Sequence, residues 1–335
     1  MESSEKKIIL TLRELSDSAR KQLENVAGTK YQIRLVESLK DSEYSSVEIL
    51  LLDTARGDDR NILSEGKLEK FTQLKLIQST RAGVDALDFG MIPSWVLVCG
   101  NVGAYGEQIA EHVFGMMLYF ARNIGLSNSL LKQGIWEIPS DSLFLKDKTI
   151  TILGTGGIGD SIAKLASSFG MKTIGVNTSG RPVPKFDQVF SIEKLDESLA
   201  LAEIVVIALP LTVKTFHLID LDRLRKMKKD AILVNVARGY IIDEEAIYQH
   251  LQENHDFRAA LDVWWWYPKK GEKFAQRFPF FELSNFLGTP HDSGIVPETE
   301  ELALLSAIDN IGRFVRNESL KGLMDRAEYV GLGAL

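Results

Sequence analysis

One cysteine, Cys99, is all the thiol chemistry this chain of 335 residues possesses. A disulfide framework within the chain is therefore excluded, and without a C-x-x-C pair there is no thiolate metal signature. No metal site is expected. No uncharged apolar run reaches the length needed to cross a bilayer. Residues 1–7 are polar and charged with no secretory apolar stretch behind them, so the expected compartment is a reduced cytoplasm. Positive charge is in deficit: 39 Lys and Arg face 46 Asp and Glu, a net charge of −7. That balance argues against a general nucleic-acid surface and leaves room for a local basic pocket that takes a small anion. Internal repeats and low-complexity tracts are also missing. What remains is ordinary globular material, 45% hydrophobic and 25% charged, enough for two domains with large cores.

The most informative stretch is Lys148-Thr149-Ile150-Thr151-Ile152-Leu153-Gly154-Thr155-Gly156-Gly157-Ile158-Gly159. An apolar, β-branched run reads as a buried parallel strand. It meets three glycines at G-x-G-x-x-G spacing. Beyond them Ile158, Ile162, Leu165 and Phe169 mark one face of a helix. In such a unit Gly154 permits the tight turn, Gly156 lets backbone approach a pyrophosphate, and Gly159 lets helix pack on strand. The helix N-terminus then offers free N–H groups and the positive end of its dipole to the anion.

Around this unit the pattern alternates. Strands are expected at 8–10, 31–35, 48–53, 74–79 and 95–99, with helices at 16–26, ended by Gly28, and at 63–71. A bridging helix follows at 105–122, then a mixed connector at 133–148. Further strands fall at 171–176, 205–209, 232–236 and 257–263. Helices at 192–202, 221–228 and 243–252 lie between them, the last capped by Asp243. A long helix near 297–315 should cross back to the first domain. The expected class is α/β: a flavodoxin-like substrate domain made of residues 1–103 and 292–335, and an inserted Rossmann domain over 104–291.

The end of the second dinucleotide strand distinguishes NAD from NADP, because an acid there would bind the ribose 2′-hydroxyl and repel a 2′-phosphate. Here the sequence is Asn177-Thr178-Ser179-Gly180-Arg181. It holds no acid, two hydroxyls and an arginine, groups that can donate to a phosphate and neutralise it. NADP is favoured over NAD, with an ordinary polar turn as the alternative.

Seven separated stretches, in order along nearly the whole chain, resemble the D-isomer-specific 2-hydroxyacid dehydrogenases. They are Arg81-Ala82-Gly83-Val84-Asp85, Ile109-Ala110-Glu111-His112, the glycine motif, Ala208-Leu209-Pro210-Leu211-Thr212, Val234-Asn235-Val236-Ala237-Arg238-Gly239, Ala260-Leu261-Asp262-Val263 and Thr289-Pro290-His291. The resemblance implies a bilobed enzyme with its active site in a cleft, reducing a small 2-oxo acid at the expense of NADPH or NADH. Arg238 matches the arginine that grips and polarises the substrate. It stands just past a strand end, where doubly wound sheets bind ligands. His291 matches the acid/base histidine, preferred over His112, His217, His250 and His255, of which His112 is expected to be structural.

Ala82 and Gly83 match the loop whose N–H groups bind substrate carboxylate. Arg81 beside them is either a second cationic contact, suited to a diacid or phosphorylated substrate, or a solvated arginine. By the same resemblance Gly157, Ile158, Leu209, Pro210, Thr215, Val236, Ala237 and Gly294 line the coenzyme, and Asp262 binds the nicotinamide carboxamide. Trp264, Trp265 and Trp266 either wall the pocket or pack. Trp136 is a candidate dimer contact, since relatives dimerise through this region.

Two departures stand out. The family's histidine-pairing glutamate falls at Tyr267, a phenol that cannot stabilise imidazolium as a carboxylate does. Either the His291 pKa is lowered or another acid, Asp292 or Glu272, takes over. The related formate dehydrogenases also lack that glutamate, but they carry an asparagine where this chain has Tyr105, which disfavours formate. Two alternatives to an ordinary reductase follow: a dehydrogenase with different proton chemistry, and a non-enzymatic dinucleotide sensor of the kind corepressor relatives exemplify.

Overall fold

The computed structural model describes residues 6–64 and 66–332, so the polar residues 1–5 lie outside the described residues. The chain forms two compact units, Met1–Tyr105 with Val296–Leu335, and Gly106–Ile295.

In the first unit, β1 (Lys7–Thr11) leads to α1 (Asp17–Ala27), followed by β2 (Tyr31–Leu35), β3 (Val47–Leu52), the single turn α2 (Gly57–Arg60), β4 (Leu76–Ser79) and β5 (Leu97–Cys99). All neighbours pair in parallel, in the order β2-β1-β3-β4-β5. This is the flavodoxin-like order, whose switch point lies between β1 and β3. Strand β3, Val-Glu-Ile-Leu-Leu-Leu, is buried along its whole length, as a parallel strand covered on both faces must be. Ser16 caps α1 by accepting the Ala19 N–H at 3.1 Å, and Gly28 ends the helix at φ 53°.

The second unit runs α3 (Gly106–Ala121), α4 (Ile124–Lys132), β6 (Thr149–Leu153), α5 (Gly157–Ser168), β7 (Lys172–Asn177), β8 (Gln188–Ser191), α6 (Leu195–Leu201), β9 (Ile204–Ile207), α7 (Leu221–Lys226), β10 (Ile232–Asn235), α8 (Glu244–Glu253), β11 (Arg258–Leu261) and β12 (Phe286–Gly288). Its seven-stranded parallel sheet has the order β12-β11-β10-β9-β6-β7-β8. Counted from β6 this is the 3-2-1-4-5-6 Rossmann order with one strand added, so ligands belong at the β6/β9 switch point. The chain then returns to the first unit as α9 (Thr299–Val315). There Ala307, Ile308 and Ile311 share a buried cluster with Ala19, Leu23 and Ala27 of α1.

Three elements differ from the sequence reading. The helix expected at 63–71 is two 3₁₀ turns, Asn61–Leu63 and Leu68–Lys70, because Gly66 adopts φ 79° between them and breaks any continuous helix. Helix α4 was not anticipated; none of its residues is buried, and Ile124, Leu126 and Leu131 are exposed. The short edge strand β8 was also unexpected. Among the described residues no helix is long and apolar enough to cross a membrane.

Candidate active site

At the β6/β9 switch point each motif glycine has its own physical necessity. Gly154 adopts φ 106°, and a Cβ there would sit 2.5 Å from the Ala208 carbonyl oxygen. A Cβ on Gly159 would lie 1.9 Å from the Gly154 oxygen, so only glycine lets α5 press onto β6. A Cβ on Gly156 would meet nothing within 4 Å. That open space adjoins the N-terminus of α5, which begins at Gly157 and Ile158 and has no side-chain cap. Uncapped N–H groups beside exposed glycine backbone are what a pyrophosphate requires, and the residues fit a dinucleotide.

The loop after β7 is organised by Asn177. Its amide donates to Thr155 Oγ1 (3.2 Å) and the Arg181 carbonyl (2.9 Å), while its oxygen accepts the N–H groups of Ser179 (3.2 Å) and Gly180 (2.7 Å). Asn177 thus shapes the loop, and Thr178, Ser179 and Arg181 are left on its exposed side. The loop after β9 is fixed similarly: Thr215 Oγ1 donates to the Pro210 carbonyl at 2.7 Å and accepts the Thr212 N–H at 2.8 Å, with Leu209 half-buried behind them.

Arg238 stands directly beyond β10. Val236 and Ala237 before it are buried, and Asn235 bridges the turn by accepting the Ala237 N–H (3.0 Å) and donating to the Arg238 carbonyl (2.9 Å). The Arg238 Nη1 donates to the Ala237 carbonyl at 2.7 Å. A Cβ on the next residue, Gly239, would lie 2.4 Å from the Trp264 backbone, so the Arg238 turn and the stretch after β11 are in backbone contact.

His291 sits in a turn with φ 61°, a left-handed conformation that costs a non-glycine residue about 1 kcal/mol and clusters at functional sites. The turn is held by Asp262, which is fully buried. Its carboxylate accepts the Thr289 hydroxyl (2.5 Å) and the N–H groups of Asp292 (3.0 Å) and Ser293 (3.1 Å), leaving Gly294 at the turn's far side. Those bonds make Asp262 the clamp of the His291 turn. Tyr267 places its ring 5.4 Å from the imidazole, tilted by 39°, while its hydroxyl accepts the Trp264 N–H at 3.1 Å. Of the two acids considered as replacements for a glutamate, Glu272 accepts the Lys269 N–H, and Asp292 Oδ1 lies 4.0 Å from His112.

Three residues beside this turn, His112 expected to be structural and two tryptophans expected to wall the pocket or pack, make contacts that the sequence did not foretell. His112 Nε2 is 3.2 Å from Thr289 Oγ1 and 4.0 Å from Asp262 Oδ1. His112, Asp262 and Asp292 are close enough together to hold a metal ion, yet Asp262 already accepts three hydrogen bonds, which suits a clamp and not a cation site. The other two are tryptophans. Trp264 Nε1 donates to the Thr289 carbonyl and Trp265 Nε1 to the Ile242 carbonyl, both at 2.9 Å. Trp266 is exposed, in an irregular stretch beyond the end of β11. The remaining histidines serve elsewhere. His217 is 3.3 Å from Asp243, and His250 is buried edge-on against Phe257, where burial lowers its pKa.

In the first unit the loop Arg81-Ala82-Gly83 is braced on every side but one. Ser79 Oγ accepts the Arg81 N–H, Asn101 N–H donates to the Arg81 carbonyl, and Thr54 Oγ1 donates to the Gly83 carbonyl. Among the described residues no protein acceptor takes the N–H groups of Ala82 and Gly83. The Arg81 guanidinium grips Asp53 through Nε (3.1 Å to both oxygens) and Nη2 (2.9 Å), and lies 5.7 Å from the Tyr105 ring. Burial alone would raise the Asp53 carboxyl, but the hydrogen bonds and charge of Arg81 outweigh it and hold the group below its usual range. The ion pair borders a cavity of about 160 Å³ that also touches Arg13, Arg56 and Asp59.

Residues 114–293 match the family described as D-isomer specific 2-hydroxyacid dehydrogenase, NAD binding domain. D-3-phosphoglycerate dehydrogenase of Methanocaldococcus jannaschii is 30% identical over 320 residues, 95% of this chain and 59% of that protein. Hydroxypyruvate reductase of Thermotoga maritima is 31% identical over 267 residues, 79% of this chain and 84% of that protein. A solved structure of a D-isomer specific 2-hydroxyacid dehydrogenase family protein from Aeromonas salmonicida, 30% identical, superposes with a TM-score of 0.76 over 96% of this chain and 100% of that one.

Proposed function

Because the chain belongs to the D-isomer-specific 2-hydroxyacid dehydrogenase family, oxidoreductases that act on the CH–OH group of 2-hydroxy acids, we propose that it is an NADPH-linked reductase of small 2-oxo acids. The observation that carries this reading is the second unit's arrangement. Arg238 and His291 follow β10 and β12, the two strands that flank β11 in one parallel sheet, and both turns are buttressed by the one segment that follows β11. The glycine seat at β6 lies in the same sheet.

The bound dinucleotide supplies the hydride. Arg238 grips the carboxylate and carbonyl oxygen of the substrate and draws charge toward that oxygen. His291 delivers a proton to it as the alcohol forms. By the family resemblance, the N–H groups of Ala82 and Gly83 take the substrate carboxylate. Asp53 matches the Arg81 charge, so the substrate needs no second anion, and glyoxylate and hydroxypyruvate suit the site better than a diacid or phosphorylated acid. The preference for NADPH rests on the acid-free loop after β7 with Arg181 exposed on it. Tyr267 supports the imidazole by ring contact.

A homodimer is also proposed. Trp136, Ile138 and Phe144, all in the connector before β6, are 87%, 83% and 71% exposed, apolar side chains that suit burial against a second copy.

A coenzyme-oxidation screen with glyoxylate, hydroxypyruvate, pyruvate and bulkier 2-oxo acids, run with NADPH and NADH separately, tests the reading. Turnover is expected with the smallest acids and NADPH. Nucleotide binding without turnover on any acid would favour a dinucleotide sensor, the reading that Tyr267 in the carboxylate's place supports.

A further inference from the structure

We propose that Trp264 and Trp265 are positioning residues that set Arg238 and His291 in register with each other, each indole N–H holding one of the two reactive loops. The inference rests on the reductase reading for its kinetic part and stands on geometry alone for its structural part.

The two tryptophans are consecutive, yet their indoles reach in different directions. Trp264 Nε1 donates to the carbonyl of Thr289, two residues before His291. Trp265 Nε1 donates to the carbonyl of Ile242, in the turn that begins at Arg238. That turn is closed by Ile241 N–H to the Arg238 carbonyl (3.3 Å) and Ile242 N–H to the Gly239 carbonyl (2.9 Å), so holding Ile242 holds Arg238. The backbone between the two indoles is pressed against Gly239, where a Cβ would lie 2.4 Å from the Trp264 carbonyl oxygen and 2.8 Å from the Trp265 nitrogen. One short segment therefore touches both loops at once.

Each indole is fixed from behind. Trp264 packs against Phe274 and Phe281, at centroid distances of 4.7 and 5.8 Å, and Trp265 stacks on Phe280 at 5.8 Å and 11°. Phenylalanine would preserve most of that packing and could not donate. Tyr267 closes the device, tying its hydroxyl to the Trp264 N–H and resting its ring on His291. A left-handed residue such as His291 persists only where its surroundings over-determine it, and here Asp262 and Trp264 do so from two sides. Catalytic geometry is sensitive to displacements well under the size of a residue, so loosening either loop has a cost out of proportion to one hydrogen bond.

The test uses Trp264→Phe and Trp265→Phe in the full chain, read by amide hydrogen exchange and by steady-state kinetics. Trp265→Phe is expected to speed exchange roughly tenfold in peptides covering 238–242 and to leave 289–293 protected. Trp264→Phe is expected to do the reverse. In turnover, Trp265→Phe should raise KM for the 2-oxo acid and lower kcat, because Arg238 binds substrate as well as polarising it. Trp264→Phe should lower kcat about tenfold with KM little changed, because His291 acts on the proton. Both should bind NADPH like the parent. Equal loss of protection across both loops in both variants, or unaltered exchange in either loop, would overturn the proposal even if no acid is ever turned over. Absence of turnover in the parent protein with the exchange pattern intact would instead remove the reductase reading alone.

Discussion

The two units share an architectural rule and use it differently. Each is a doubly wound parallel sheet with a switch point, at β1/β3 in the first and at β6/β9 in the second. At β6/β9 the following helix starts without a side-chain cap beside Gly156 and open space. At β1/β3 the following helix is capped by Ser16, and the neighbouring loops set Arg13 on Asp59 and both Arg56 and Arg81 on Asp53, with Glu300 3.9 Å from each of the latter two arginines, so three arginines face three acids. Topology supplies a crevice in both. Local chemistry separates them: one offers uncapped N–H groups that fit a diphosphate, whereas the other is already charge-balanced, with the N–H groups of Ala82 and Gly83 taken by no protein acceptor among the described residues.

The sharpest way to test this contrast separates the glycines by what surrounds them. Gly159→Ala places a methyl 1.9 Å from backbone oxygen and should cost about 3 kcal/mol or prevent folding. Gly156→Ala meets nothing in the protein, so its melting temperature should stay near the parent's while the NADPH dissociation constant rises about tenfold to a hundredfold. Titration of NADPH fluorescence beside a thermal melt checks both. A Gly156→Ala protein with normal affinity would remove the pyrophosphate seat from the account.

In the first unit, Asp53→Asn should break the neutralised crevice at a cost of about 1–3 kcal/mol. The folded Asp53 pKa is lowered, so its contribution is present above the unfolded value near 3.9 and is lost as pH falls through the folded value. The stability gap between parent and variant, measured by urea denaturation, should therefore be full at pH 7 and shrink below about pH 4. The variant should also accept diacids better, with Arg81 freed from its partner.

A smaller effect distinguishes the second unit. His250 is buried with Nε2 unpartnered, and burial holds its pKa below the usual histidine range. The unfolded chain then takes up that proton first, so stability is full above about pH 6.5 and declines as pH falls toward the folded value. His250→Leu should flatten the decline between pH 7 and 5.5 by about 1 kcal/mol or less. An unchanged slope would mean that another group sets it.

What the sequence made legible divides along the same line. The glycine motif could be read because each glycine answers a need within a few residues of itself. Apart from the short edge strand β8, the strands of both sheets could be read because parallel strands are continuously apolar. The clamp around His291 was hidden, since Trp264 reaches Thr289, Trp265 reaches Ile242, and His112 reaches Thr289 from another helix. Spacing carries no trace of such partners. The Trp-Trp-Trp run drew notice as a possible wall, but it lies beyond the end of β11, and only coordinates supply the carbonyls that the indoles meet. Asn177 is similar: its position marked it for the coenzyme, while its amide is occupied in shaping the loop that presents Arg181.

The central claim is that His291 moves the proton at a site where the coenzyme binds independently of it. Replacing His291 with Ala and measuring, on the same preparation, NADPH affinity and the rate of NADPH oxidation by hydroxypyruvate tests it most directly. The account predicts an NADPH dissociation constant within about twofold of the parent and turnover reduced by roughly 10²–10⁴. Turnover at the parent's rate would contradict it.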